Sequence, residues 1–397
     1  MDYQATFNIP MSSPDITDLE RQAVMDVLQT TSFSMGPRIQ AFEDAFRHFT
    51  GSKHAIAVNS GTAGLHLCIH AAGVQAGDYV LTTPFSFISS TNVILYERAI
   101  PIYVDVDPMT GNIDTKLAEE AARDISARGG AAKNWLPRKG ADEGGHLKAL
   151  LSVDVFGQPA DYYPLQAITN WYGMKLINDS CESLGAVYKD RKAGRLGDYG
   201  VFAFYPNKQI TTAEGGMIVT DHDDAARIMR ALRNQGRVPG DTWLDHTLMG
   251  YNYRLDEFSA ALGAAQMQRI DELLEKRDRV AGWYNQYLSQ VDEVEIPYVS
   301  PTTTRVSWFV YVIRLAHHID RAEFIRSLAQ RGIPSRPYFS PIHLQPFMVE
   351  KFGYRPGDFP ITEDLGRRGL ALPFSGIMTE EQVKTVCSVI KEILSAR

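Results

Sequence analysis

The sequence predicts an α/β protein whose core is a large, mainly parallel sheet. Two observations carry this prediction: short, nearly continuous apolar segments recur along the first two thirds of the chain, and helical stretches separate most of them. Strands that are apolar on both faces are typical of parallel sheets covered by helices. The 397 residues, of which 44% are hydrophobic and 22% charged, are enough for two or three globular domains.

Two helices are predicted first. Thr17 and Glu20 have capping-box spacing ahead of an apolar pattern that runs to about Leu28, and a second amphipathic helix covers about 38–49 before Gly51. The predicted strands that follow are 54–58, 79–82, 101–104, 149–153, 175–177, 201–204 and 217–220. The predicted helices cover about 61–72, 89–97, 117–125, 163–171, 225–234 and 255–288.

A change in the sequence pattern near residues 297–304 indicates that a second, smaller unit begins there. Beyond it we predict strands at 308–315 and 334–338, and helices at 321–331 and about 380–394. We therefore expect a large domain over residues 1–275, including the N-terminal helices, and a small C-terminal α+β domain over 276–397. The glycine-rich residues 126–148 show no helical or strand period, which predicts a long surface loop, with a substrate lid as the alternative.

Composition excludes several classes of protein. The formal net charge of −7 argues against nucleic acid or an anionic membrane as the main partner. Cys68, Cys181 and Cys387 are too few and too scattered for a disulfide framework or a metal cluster, so we expect no bound metal. Without a signal-peptide pattern or an apolar run of membrane-spanning length, the chain is expected to be cytoplasmic.

Lys208 is the first candidate catalytic residue. It lies in a polar link between two apolar strands, with Phe204 and Tyr205 before it and the turn at Gly215 after it. Partial burial lowers the pKa of an ammonium group, which makes a neutral amine available to form a Schiff base. Most lysines are solvated surface charges, and that role is the alternative.

Three more strand ends carry groups that suit a ligand. Residues 59–64, NSGTAG, let a ligand approach the backbone at a helix N-terminus, which favours phosphate, although such turns are common. Asp179 follows an apolar strand, where its carboxylate could pair with a protonated pyridine nitrogen or simply cap a helix. Residues 83–87, TPFSF, offer aromatic rings that stack on a planar cofactor or fill the core.

Together, a lysine, an anion-binding turn, an acid and a stacking ring are the groups that pyridoxal phosphate (PLP) requires. From about residue 9 to its C-terminus, the chain resembles the DegT/DnrJ/EryC1/StrS family of PLP-dependent nucleotide-sugar aminotransferases. The motifs that carry the resemblance are SGTAGLHL, TTPFSFISS, FGQPAD, FYPNKQITTAEGG, GYNYR and SRPYFSPIHLQP. It implies aspartate-aminotransferase fold type I and PLP as the cofactor.

The resemblance assigns cofactor-binding roles residue by residue. It implies that Lys208 binds PLP covalently, that Asp179 pairs with the pyridine nitrogen and that Phe87 stacks on the ring. Gly61 and Thr62 would hold the phosphate.

The resemblance also implies an oligomeric state and a particular branch of the family. Asn252 in GYNYR would reach the cofactor phosphate of the neighbouring subunit, which implies a homodimer with shared active sites. Glu182 beside the cofactor and the SRP run at 335–337 resemble the perosamine-synthase branch most. The implied reaction moves the amino group of L-glutamate to carbon 4 of a nucleotide-linked 4-keto-6-deoxyhexose.

Candidate substrate contacts are Arg254, Tyr338 and His343, on the ground of their motif neighbourhood alone. Alternative functions are amination of another keto or aldehyde carbohydrate or a cyclitol, and a non-catalytic PLP-binding regulator. Related dehydratases that remove the carbon-3 hydroxyl have histidine in place of this lysine, so Lys208 argues against them.

The chain departs from the family pattern at two positions. Ala203 stands where a serine usually contributes a hydroxyl to the cofactor phosphate, and Ala213 stands where glycine is usual. Loss of the serine hydroxyl removes one hydrogen bond, worth about 1 kcal/mol, which does not abolish cofactor binding. His66 and His70 share a helical face, but without a third ligand they are expected to be core or surface residues.

Overall fold

A computed structural model describes residues 9–141, 144–238, 240–242 and 244–396. Within these residues the chain forms an α/β fold with one seven-stranded sheet, one four-stranded sheet and one small three-stranded sheet. The predicted fold class is therefore confirmed, and each predicted helical region is helical. The region predicted at 255–288 forms two helices, and the helices Pro346–Phe352 and Pro360–Arg368 were not predicted.

Two helices precede the first strand, as predicted: α1 (Asp18–Leu28) and α2 (Pro37–Thr50). Glu20 accepts a hydrogen bond from the backbone N–H of Thr17 at 2.7 Å, which is the returning half of a capping box. Gly51 ends α2 with φ at 74°, in the left-handed region that glycine adopts without a steric penalty.

The remaining elements of the large sheet region alternate along the chain. The strands are β1 (His54–Val58), β2 (Tyr79–Thr82), β3 (Ile100–Tyr103), β4 (Leu147–Val153), β5 (Lys175–Asp179), β6 (Val187–Tyr188), β7 (Arg191–Lys192), β8 (Tyr199–Ala203) and β9 (Gly216–Thr220). The helices are α3 (Gly61–Ala71), α4 (Ser89–Tyr96), α5 (Thr115–Ser126), α6 (Tyr162–Tyr172), α7 (Asp223–Arg233), α8 (Glu257–Gln268) and α9 (Ile270–Leu288).

The large sheet has the strand order β1-β9-β8-β5-β4-β2-β3. Six of these strands run parallel, and β9 runs antiparallel between β1 and β8. Adjacent residues of β8 pack on opposite faces: Val201 joins the core under α3 and α7, and Phe202 joins the core under α2 and α8. The carboxyl ends of β1, β2, β4, β5 and β8 consequently meet at one edge.

The C-terminal region forms a second layered unit. Its strands are β10 (Val294–Glu295), β11 (Thr303–Arg305), β12 (Tyr311–Leu315), β13 (Arg336–Pro337) and β14 (Gly369–Leu372), and its helices are α10 (Arg321–Gln330), α11 (Pro346–Phe352), α12 (Pro360–Arg368) and α13 (Glu380–Ser395). An antiparallel sheet of order β10-β12-β14-β13 is covered by α10 and α13. The sequence did not reveal β14, because four apolar residues after a helix carry no period of their own.

Helix α9 connects the two regions. Leu273 and Leu274 pack in the core beneath α2 and α8, whereas Val280 and Tyr284 pack in the C-terminal core. The predicted domain boundary at 275/276 falls inside this helix. Residues 346–354 pack back against the large sheet near Tyr103, so the two regions interlock, and the division into two domains stays a prediction.

Residues 127–146 form the predicted long connection between α5 and β4, apart from positions 142 and 143, which lie outside the described residues. A 3-10 turn spans Gly130–Asn134, and the indole N–H of Trp135 donates to Asp124 at 3.0 Å. Arg138 pairs with Asp358, which fastens the connection to the residues before α12. Among the described helices, none is long and apolar enough to cross a bilayer.

Glu20 offers a stability test of the N-terminal helix. Burial raises its pKa, but hydrogen bonds from Thr17, Arg269 and Gln266 outweigh burial and lower the pKa to about 2. Because the folded pKa lies below the ordinary value of 4.5, Glu20 stabilises the fold above about pH 4.5, and this contribution is lost as pH falls towards 2. Glu20→Gln should lower the unfolding free energy by about 1–3 kcal/mol near pH 7.

The measurement is urea unfolding near pH 7 and near pH 3, where the difference between wild type and Glu20→Gln should shrink. Glu275→Gln, an exposed change on α9, is the matched control and should leave stability within about 0.5 kcal/mol at both values. A Glu20→Gln effect that did not depend on pH would contradict this account.

Candidate active site

A cavity of about 550 Å³ opens at the carboxyl edge of the large sheet. It lies at the edge where the parallel strands end. Residues that follow β1, β2, β5 and β8 border it, together with Val153, the last residue of β4. The residues that line it are Ser60, Gly61, Thr62, Leu65, Ser86, Phe87, Ser89, Val153, Asp179, Cys181, Glu182, Ala203, Tyr205, Asn207, Lys208, Glu214, Gly215, Phe309, Tyr338 and Phe339. Seven of the ten residues predicted for the site are in this set.

Lys208 follows β8 and lies within the cavity with a side chain that is 13% exposed. Its Nζ lies 3.7 Å from the centre of the Phe309 ring and 3.6 Å from Oε1 of Glu182. The ring face and the carboxylate both attract an ammonium group. The amine is thus held between an aromatic face and an acid at the floor of the cavity.

Asp179 is the last residue of β5 and is 5% exposed. Its Oδ2 accepts a hydrogen bond from the Ser90 hydroxyl at 2.7 Å, and Ser90 and Ser86 lie 2.8 Å apart between their Oγ atoms. The backbone N–H of Cys181 donates to its Oδ1 at 3.3 Å. These donors hold the carboxylate in one orientation and leave it lone pairs for a cationic N–H in the cavity.

Gly61 and Thr62 begin α3 directly after β1. Ser60 caps the helix, with its Oγ accepting from the N–H of Ala63 at 3.1 Å. A Cβ at Gly61 would lie 2.7 Å from the Cβ of Ala203 and 2.9 Å from the sulfur of Cys181, so only glycine lets this turn lie so close to β8. The first N–H groups of α3 therefore face the cavity as an anion-binding end.

Glu182 and Tyr338 form one wall of the cavity. Glu182 is 6% exposed, and its Oε2 accepts from the N–H of Phe156 at 2.9 Å. Burial raises the pKa of Glu182, although the positive charge of Lys208 opposes the rise. Burial and the charge of Glu182 raise the pKa of Tyr338 to about 12, so its hydroxyl keeps its proton near neutral pH.

Phe87 and Tyr205 stand at the mouth of the cavity and are 63% and 54% exposed. Each presents a large ring surface to solvent in the single chain. Rings in this position can cover a planar ligand or contact another molecule.

Three predicted site residues lie outside the cavity wall. His343 is fully buried, with Nε2 3.0 Å from Oε1 of Glu363, so the structure does not bring it to the site. Asn252 is exposed beside the end of β1, where its carbonyl accepts from Asn59, and the Arg254 guanidinium donates to Asn234 at 3.1 Å. The described residues of 127–146 do not border the cavity either, which gives the lid alternative no support.

Asp154 is a functional residue that sequence reasoning missed. It is fully buried after β4 and accepts hydrogen bonds from the hydroxyls of Ser180 at 2.8 Å and Ser183 at 2.6 Å, from Tyr162 at 2.5 Å and from the N–H of Ala160 at 3.1 Å. Burial raises its pKa, and the four donors oppose the rise. Its place two residues before the start of the FGQPAD motif was the available signal, but its hydroxyl partners lie up to 29 residues away.

The cavity residues fit PLP. A buried acid, a lysine amine and a helix N-terminus that excludes any Cβ at Gly61 border one space of a size typical for small-molecule sites. The fold and this site define a PLP-dependent aminotransferase of fold type I. The comparisons with known proteins agree, since the DegT/DnrJ/EryC1/StrS aminotransferase family profile matches residues 14–391, and the chain belongs to that family.

Individual relatives match along nearly the whole chain. A GDP-perosamine synthase of Caulobacter vibrioides is 36% identical over 390 residues, which are 97% of this chain and 98% of the relative. The spore coat polysaccharide biosynthesis protein SpsC of Bacillus subtilis is 31% identical over 399 residues, 97% of each chain. A family aminotransferase from Brucella abortus, known from its crystal structure, superposes with a TM-score of 0.85 at 28% identity, covering 95% of each chain.

Asp154 supplies a prediction about the site. Asp154→Asn replaces one acceptor oxygen by an amide that faces two donors, so at least two hydrogen bonds are lost and the unfolding free energy should fall by about 2–4 kcal/mol. The loop that carries Cys181 should loosen, and a thiol reagent should modify Cys181 faster in native protein, as measured by peptide mass spectrometry.

Asp161→Asn is the matched control. Asp161 lies on the same segment as Asp154, and its side chain accepts a hydrogen bond from the hydroxyl of Tyr188. It should cost about 1 kcal/mol or less and leave Cys181 protected. Equal Cys181 reactivity in wild type and Asp154→Asn would show that Asp154 does not order the loop.

Proposed function

We propose that this protein transfers the amino group of L-glutamate to a nucleotide-linked keto sugar, at carbon 4 of a 4-keto-6-deoxyhexose. The observation that carries the proposal is the full-length similarity to a GDP-perosamine synthase, together with Glu182 facing Lys208 in the cavity. An acid at this position and the SRP run at 335–337 are the features of the chain that resemble the perosamine-synthase branch most.

When bound, PLP supplies an aldehyde that accepts an amino group and a ring that takes up electrons. Asp179, fixed by Ser90 and Cys181, keeps a proton on the ring nitrogen by offering a buried negative charge. The N–H groups at Gly61 and Thr62 bind the phosphate. Ala203 offers no hydroxyl there, so the backbone supplies a larger share of that interaction.

Lys208 is the general base and acid. Its amine removes the α-proton of glutamate and returns a proton to the sugar carbon in the second half-reaction. Phe309 below the amine and Glu182 beside it restrict where Nζ can move. The buried carboxyl of Glu182, with its raised pKa, is placed to exchange a proton with the Lys208 amine.

The charge of the cavity supports a site shared between two chains. Among the described residues that line it, Lys208 alone is cationic, whereas Asp179, Glu182 and Glu214 are acidic. A nucleotide-linked sugar brings two phosphates, which need positive or N–H partners. The exposed ring of Phe87 likewise lacks a cover. We infer a homodimer in which a second copy completes each site, with Asn252 as the contributed residue.

The decisive experiment uses the amino donor form of the cofactor. Protein loaded with pyridoxamine phosphate is offered a panel of nucleotide-linked keto sugars, and return of the aldehyde cofactor's absorbance shows which one is aminated. A 4-keto-6-deoxyhexose linked to a nucleoside diphosphate should restore it. Lys208→Arg should bind the cofactor but lose at least about a thousandfold in rate, because a guanidinium cannot move the proton.

Glu214→Gln, a change of a single charge at the cavity wall outside the proposed machinery, is the control for nonspecific effects. It should retain activity within about tenfold. A signal that returns only with a free cyclitol ketone or a keto acid, and with none of the nucleotide sugars, would refute the proposed substrate. Full activity in Lys208→Arg would refute the proposed mechanism.

Shared sites predict complementation between two damaged chains. Lys208→Ala and Asn252→Ala are co-expressed with different affinity tags, and the hybrid dimer is isolated. If Asn252 serves the neighbouring site, one site of the hybrid keeps both residues, and activity should reach about half that of wild type.

Each variant purified as its own dimer is the control, and both should fall far below the hybrid. If the hybrid is no more active than the Asn252→Ala dimer, Asn252 acts within its own chain and the shared site is disproved.

A further inference from the structure

Arg277, on α9, is a buried cation that contacts backbone carbonyls on two separate segments. Its Nη2 donates to the carbonyl oxygens of Asn207 at 3.3 Å and Lys208 at 2.6 Å. Its Nη1 donates to those of Trp308 and Phe309, each at 3.2 Å. One guanidinium thus joins the loop after β8 to the segment that enters β12.

This arrangement is energetically costly. Arg277 is 4% exposed, and in the described part of the chain it forms no ion pair with a carboxylate. Burial lowers its pKa to about 10, and the field of Asp15 offsets only part of this. Burying a cation among neutral carbonyls costs more free energy than burying an apolar side chain. Packing alone therefore does not explain why an arginine occupies this position.

The two segments that Arg277 joins are the two sides of one contact at the site. Lys208 Nζ lies 3.7 Å from the centre of the Phe309 ring, and the guanidinium binds the carbonyls of both of these residues. A planar group with five N–H donors can hold four carbonyls at once, whereas a lysine ammonium has three donors on a flexible stem. The geometry therefore fixes the backbone on each side of the amine.

We propose that Arg277 is a positioning residue that holds the Lys208 amine against the Phe309 ring. This rests on the proposed catalytic role of Lys208, but the placement of the amine is measurable without turnover. If the clamp is released, the amine leaves the ring face and the neighbourhood of Glu182, and it becomes more accessible to reagents in solution.

The test follows acylation of lysines in full-length protein stripped of cofactor, by peptide mass spectrometry across a range of pH. Arg277→Lys should speed Lys208 acylation by about tenfold, which is the scale of losing one buried cation–π contact, and Arg277→Met should have at least the same effect. Exposed Lys391 is the internal standard and should not change. Arg279→Met, two residues along α9 on its exposed side, is the matched control and should behave as wild type.

Phe309→Leu separates positioning from general loosening. It should speed Lys208 acylation in the wild-type background and add little in the Arg277→Lys background, because both changes release the same contact. In the loaded enzyme, Arg277→Lys should lower kcat more than it raises KM, since the amine acts on the proton.

The proposal is overturned if Arg277→Lys labels Lys208 at the wild-type rate, or if Lys391 accelerates equally. Arg277→Lys keeps the charge, so it carries the test if Arg277→Met fails to fold. Faster Lys208 labelling combined with no transfer to any nucleotide sugar would uphold the clamp and refute only the proposed substrate.

Discussion

The site depends first on one buried carboxylate. Asp154 is the first residue after β4 and accepts hydrogen bonds from two serine hydroxyls in the loop after β5, while its own N–H donates to the carbonyl of Asp179 at 3.0 Å. Two neighbouring parallel strands are therefore locked together where their side chains face the cavity. Asp179 and Glu182 flank the loop that is bound in this way, so Asp154 helps to hold both acids in place.

A second set of interactions places the lysine. Arg277 on α9 holds the loop after β8 to the segment before β12. In the same loop, the Gln209 amide donates to the carbonyl of Glu182 at 2.5 Å and to the Ser307 hydroxyl at 2.9 Å. The C-terminal region thus completes the floor of the cavity with Phe309. Helix α9 can do this because one end packs under the large sheet and the other in the C-terminal core.

Sequence reasoning could locate what is local in the chain. Strands, capping residues and the groups at strand ends can be recognised from patterns of a few residues. Lys208, Asp179 and Gly61 were found in this way, and they border one cavity. It could not find Asp154, Arg277 or Phe309, because their roles come from partners at least 26 residues away in the chain. His343 lies in a conspicuous motif, but its ring is buried against Glu363 and does not border the cavity, so its role in substrate binding stays a prediction. A motif shows which residues are neighbours in the sequence. It does not show whether their side chains point into the site or into the core.

The chain carries a net negative charge, and the proposed substrate is also an anion. The distribution of charge within the site explains how the two are compatible. One chain lines its cavity with three acids and one lysine among the described residues, and the acids near the floor suit the ring nitrogen and the amine. Phosphates of a nucleotide would approach from the mouth, where Phe87 and Tyr205 are exposed, because the N–H groups at Gly61 are assigned to the cofactor phosphate. Further cations at the floor, besides Lys208, would compete with the ring nitrogen of the cofactor for the Asp179 carboxylate. Positive groups for the nucleotide are therefore expected at the rim, where the second copy of the proposed homodimer would contribute them.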